Sequence, residues 1–179
     1  ASMWGRSPRA IITSGLSKAY GLPGLRIGWI AGPPSLIASV WSYHDYVTIA
    51  PGALSDRLAR VALAPERRAR LFERTRGILR RNLPLMEEWL REAGGFHWIK
   101  PEAGAIVYVR YDHPINSTTL VTRLREEKSV LIVPGDHFGM DGYLRLGFGE
   151  PPEYNRAGLD RLRELLASLS LPSPASRAS

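Results

Sequence analysis

One ammonium stands out in the stretch TSGLSKAYGLPGLRIG, residues 13–28. Lys18 sits among four glycines (Gly15, Gly21, Gly24, Gly28), with Ser17 beside it and Arg26 eight residues on. Three uses compete for such a lysine. An ordinary surface lysine seldom lies in a glycine-rich loop between two apolar runs. A phosphate-gripping P-loop requires G-x-x-x-x-G-K-S/T, whereas Lys18 follows Gly-Leu-Ser and precedes Ala, so that pattern fails. The third use is a Schiff base with a carbonyl group. An amine must shed its proton to attack a carbonyl, which apolar surroundings and neighbouring cations favour. Glycines allow positive φ and a close approach of backbone to a flat ring. Arg26 would then offer a planar fork of donors to a phosphate.

A second candidate cation is Arg145 in YLRLGFG. On a strand it points opposite to Leu144 and Leu146. The residues alone favour an ordinary half-exposed strand arginine. Tyr20 reads as a packed aromatic, and Ser17, on its residue type alone, as a turn serine. The four histidines, His44, His97, His113 and His137, show no metal-ligand spacing.

The elements that must carry these residues follow from periodicity. Ala10–Thr13 (AIIT) and Leu25–Ala31 (LRIGWIA) read as buried strands flanking the lysine loop. Helices are expected from Pro34 to about Tyr46 and from Leu54 to Leu63. A long amphipathic helix is expected from Pro65 to Ala93, stopped by Gly94-Gly95. FHWIKPEAGAIVYVRY reads as two strands and a turn. Ser117–Lys128 reads as a helix capped by Ser or Thr, VLIVPG and YLRLGFG as two more strands, and Glu153–Leu169 as a closing helix. The order β-β-α-β-β-α describes a small α+β unit.

Composition narrows the class. The 179 residues are 44% hydrophobic and 23% charged, ordinary globular values. Lys plus Arg is 24 against 17 acidic residues, a formal charge of +7. The excess is mostly Arg interleaved with apolar residues along the long helix, which reads as a solvated face rather than a nucleic-acid stripe. No apolar run reaches the roughly 18–20 residues of a membrane span. The first residues show no leader pattern, and the absence of Cys fits the cytoplasm, so a cytoplasmic protein is expected.

The segment Gly15–Gly28 resembles the cofactor-attachment segment of class I/II aminotransferases, the fold type I enzymes that use pyridoxal 5′-phosphate. Pro101-Glu102-Ala103-Gly104 is similar to that family's turn before a strand, with Ala103 replacing the commoner Gly. VPGDHFG resembles a substrate-side loop, and DYVTIAPG a segment that reaches the partner subunit. The resemblance implies that Lys18 carries the cofactor, that Arg26 and Ser17 hold its phosphate, and that Arg145 grips the substrate α-carboxylate. At Gly15 many relatives have Ser, so one phosphate hydroxyl is expected to be missing.

The implied fold is α/β, the C-terminal portion of a fold type I transferase. It would comprise the end of the large domain (1–64), a connecting helix (65–93), a small α+β domain (94–170) and a polar tail (171–179). The implied reaction moves an amino group between an amino acid and a 2-oxo acid, in a homodimer without nucleic-acid or membrane partners. A lyase, cyclase or decarboxylase on the same cofactor, and a catalytically incomplete remnant, are the alternatives. The family's carboxylate at the pyridine nitrogen, its tyrosine, its ring-stacking aromatic and its phosphate turn lie upstream of Lys18 by more than the 17 residues present. The stretch alone is therefore expected to bind the cofactor poorly.

Overall fold

A computed structural model describes residues 2–169, and the expected polar tail lies outside them. The chain divides between Gly77 and Ile78 into two compact units.

In the first unit, β1 (Ile12–Gly15) pairs antiparallel with β2 (Gly28–Ala31), in the register Ile12↔Ala31 to Gly15↔Gly28. Both strands start later than the sequence suggests. β2 begins only at Gly28, because Arg26 adopts a left-handed conformation (φ 54°) after a 3-10 turn over Pro23–Leu25, and extended backbone cannot run through it. Neither strand is buried; Ile11 and Ile30 are exposed. The helices α1 (Pro34–His44) and α2 (Ala53–Leu63) follow, and α3 (Pro65–Ala93) begins in this unit. A proline at the start of both α1 and α3 suits the first turn, where an N–H would lack a helical partner. The small core holds Leu16, Tyr20 and Ala59, flanked by Leu22, Leu25, Ile27, Leu63, Leu71 and Phe72.

The second unit is built on an antiparallel sheet in the order β3-β4-β6-β5, from β3 (Phe96–Trp98), β4 (Ile106–Tyr111), β5 (Val133–Pro134) and β6 (Tyr143–Gly147). Strict alternation sends Val107, Val109, Leu144 and Leu146 to one face, where the end of α3, α4 (Ser117–Lys128) and α5 (Pro152–Leu169) cover them. Burying each such aliphatic side chain contributes about 1.5–3 kcal/mol. Buried Asn82 of α3 donates from Nδ2 to the carbonyls of Phe148 (2.8 Å) and Glu150 (2.7 Å), tying the chain after β6 to the helix. Trp89 donates from Nε1 to Asp160 Oδ1 on α5 at 3.0 Å. The cap of α4 is Asn116, whose side chain accepts from the Thr119 N–H, instead of the expected Ser or Thr. Ser117 is fully buried, and its N–H is held by Asp141 Oδ1 at 2.7 Å.

Candidate functional site

Lys18, Ser17 and Arg26 all lie on the connection between β1 and β2, and that connection is closed on itself. The Leu16 N–H donates to the Ile27 carbonyl (3.0 Å), the Leu22 N–H to the Leu16 carbonyl (2.9 Å) and the Gly21 N–H to the Lys18 carbonyl (2.9 Å). Leu16 and Tyr20, two residues to either side of Lys18, are both buried; Tyr20 packs on Phe72 with ring centroids 4.7 Å apart. The lysine side chain is thus carried outward by a loop whose flanks are anchored in the core. Lys18 is exposed. Ser17 is half-buried.

The glycines have a reason in the chain itself. A Cβ on Gly15 would stand 2.9 Å from the Ile27 carbonyl oxygen, and one on Gly28 would stand 3.2 Å from that of Ser14. These two residues face each other in the ladder, so their bareness lets the hairpin backbones close. Gly21 has φ +63° and completes the turn after Lys18. The absence of Ser at position 15 therefore coincides with a backbone approach that a side chain would obstruct.

Arg26 is exposed, and its Nη1 donates to the Pro23 carbonyl at 3.0 Å. That bond folds the guanidinium over its own 3-10 turn.

Arg145 lies in the second unit, half-buried on β6 between fully buried Leu144 and Leu146, as alternation predicts. On the same sheet face it pairs directly with Tyr108 on one side and Val133 on the other. Tyr108 stacks on Tyr143 (centroids 5.2 Å, 15°) and meets the edge of Phe138. Its hydroxyl is buried without a hydrogen-bond partner among the described residues, and burial raises its pKa. This face also holds a hollow of about 540 Å³ lined by His97, Trp98, Ile106, Tyr108, Arg110 and Tyr143. The aromatic company of Arg145 was not foreseen; the alternation of IVYVRY carries the signal, because Tyr108 shares a face with neither Val107 nor Val109. His137 and Phe138 are exposed, in the short 3-10 turn Gly135–Phe138 after β5. That loop is pinned to α4 by Asn116 and Thr118, which both donate to Asp136 Oδ2 (2.6 and 2.8 Å).

The described residues contain no group of three or more His, Asp or Glu side chains fit to hold a metal ion, and no helix long and apolar enough to cross a membrane.

The chain as a whole has counterparts among known proteins. Residues 3–162 match the family described as aminotransferase class I and II, and the chain belongs to that family. Capreomycidine synthase of Streptomyces vinaceus is 36% identical over 155 residues, covering 86% of this chain and 39% of the relative. Aspartate aminotransferase of Streptomyces avermitilis is 29% identical over 178 residues, covering 89% and 41%. The solved structure of a PLP-dependent aminotransferase from Streptococcus suis superposes with a TM-score of 0.84 at 33% identity, covering 91% of this chain and 43% of that one. The chain thus spans about two fifths of the length of these relatives and has the fold of the corresponding portion of a fold type I enzyme.

Proposed function

We propose that this chain is the C-terminal portion of a pyridoxal-phosphate-dependent aminotransferase that moves an amino group between an amino acid and a 2-oxo acid. The observation that carries the reading is Lys18, presented outward on a loop anchored at Leu16 and Tyr20, in a chain of the class I/II aminotransferase family. The donor set fits the cofactor: one closed hairpin carries an amine, a hydroxyl and a guanidinium, groups suited to an aldehyde and a phosphate monoester. When bound, the cofactor acts as an electron sink for the bonds at the substrate Cα.

Each of the chain's own residues has a task in this scheme. Lys18 would hold the cofactor through Nζ, and its amine, when free, would move the proton between the substrate Cα and the cofactor's C4′ as general base and acid. Arg26 and Ser17 hold the phosphate. Arg145 grips the α-carboxylate with two parallel N–H donors, which orients the Cα bond that breaks. The α1 end and the following loop expose Trp41, Tyr43, Tyr46, Val47 and Ile49, an apolar surface that supports a homodimer contact over the segment Asp45–Gly52. The domain limits 1–64, 65–93 and 94–170 and a cytoplasmic location belong to the same proposal.

The test is a product assay on the full-length protein. Oxo-acid formation from an amino acid should require a second oxo acid, which becomes aminated. Turnover without a second oxo acid would favour a lyase, cyclase or decarboxylase, the reading that similarity to a synthase supports.

A further inference from the structure

We propose that Arg74 of α3 is the positioning residue for Lys18, an inference that rests on the reading of Lys18 given above. Arg74 is an exposed helix arginine that composition alone assigns to a solvated face. Its Nη2 nevertheless donates to the Tyr20 carbonyl at 2.9 Å and to the Gly21 carbonyl at 3.3 Å. Those carbonyls belong to consecutive peptide units whose other edges are also engaged. The N–H of the Tyr20–Gly21 unit donates to the Lys18 carbonyl, and the N–H of the Gly21–Leu22 unit donates to the Leu16 carbonyl.

One guanidinium thus clamps, from outside, the two peptide planes that close the loop around Lys18 from inside. Rotation of either plane would break a bond to Arg74 and a bond within the loop together. A Cβ at Gly21 would lie 2.7 Å from Arg74 Nη2, so a side chain there would push the guanidinium off the two carbonyls. Anchoring is completed by neighbours on the same helix, with Phe72 against the Tyr20 ring. The consequence is that the direction in which Lys18 leaves the loop is set from α3. A charged donor to two carbonyls suits this task, since charge-assisted hydrogen bonds are shorter and stronger than neutral ones.

The experiment compares wild type, Arg74→Ala and Arg74→Lys in the full-length protein, with three readouts. In cofactor-free protein, hydrogen exchange across residues 16–22 should rise about tenfold in Arg74→Ala, the equivalent of one lost net hydrogen bond. In loaded protein, the pH midpoint of the bound cofactor's visible absorbance should move by about one unit. Retention of cofactor on dialysis should fall by a similar factor. Arg74→Lys, which keeps one charged donor, should recover part of each change and guards against misfolding of the alanine variant. Wild-type exchange across 16–22 together with an unmoved absorbance midpoint in Arg74→Ala would overturn the proposal. Failure of Lys18 in the wild type to carry the cofactor would instead overturn the underlying functional reading, and is distinguished by the exchange data, which need no cofactor.

Discussion

Arg145 is held by its neighbours in a way that limits what it can do. Leu144 and Leu146 are fully buried on the core side of β6, so the guanidinium must emerge on the opposite face, beside Tyr108. A group so constrained is suited to gripping a planar anion in one orientation. Lysine at this position would keep the charge and lose the paired donors. On the proposed function, Arg145→Lys in the full-length protein should therefore raise KM for the amino acid and lower kcat/KM about 10- to 100-fold, the worth of one charge-assisted hydrogen bond. Steady-state kinetics check this, and unchanged constants would remove Arg145 from carboxylate binding. Ser17, half-buried beside Lys18, is compatible with both a turn role and a phosphate role.

At the scale of elements, α3 does more than link. Its first turns hold Arg74 against the lysine loop, and further along Asn82 holds the chain after β6. Truncating Asn82 to Ala leaves the Phe148 and Glu150 carbonyls without their shared donor. The expected cost is about 1–3 kcal/mol, read as a lower urea midpoint; an unchanged midpoint would show that water replaces the amide without loss. Helices were legible in the sequence because their apolar spacing, prolines and terminal glycines agree. Residues 65–93 came out as read, and the alternation in IVYVRY and YLRLG marked both faces of the sheet. The strands around Lys18 were less legible. Their limits depend on the left-handed Arg26 and on the Gly15–Gly28 closure, which are matters of backbone conformation that residue types do not announce. Ile49, also at positive φ (64°), is another such case, since a β-branched residue gives no hint of it. The Lys18 loop and Arg145 were visible as candidates, whereas the clamp from Arg74 depends on residues more than fifty positions apart and left no local signal.

On the scale of the whole molecule, the charge balance of +7 and a few well-placed carboxylates set the response to acid. The Asp160 carboxyl is held below its ordinary pKa chiefly by the Trp89 N–H, Glu87 by its hydrogen bond from Lys100, and Asp141 by the backbone N–H groups of Ser117 and Gly142. A folded-state pKa below the unfolded value of about 4 contributes stability that is present above that pH and is lost as pH falls through the folded pKa. Protonation also adds to the positive charge, and self-repulsion grows. The urea midpoint should be flat around neutrality and drop as pH is taken below about 4, while an equal midpoint at pH 7 and pH 3 would contradict these assignments.

The central claim concerns one amine. The full-length protein, incubated with pyridoxal phosphate, reduced with borohydride and digested, should carry the reduced cofactor on the peptide containing Lys18. Label on any other lysine, or none at all, would contradict the account.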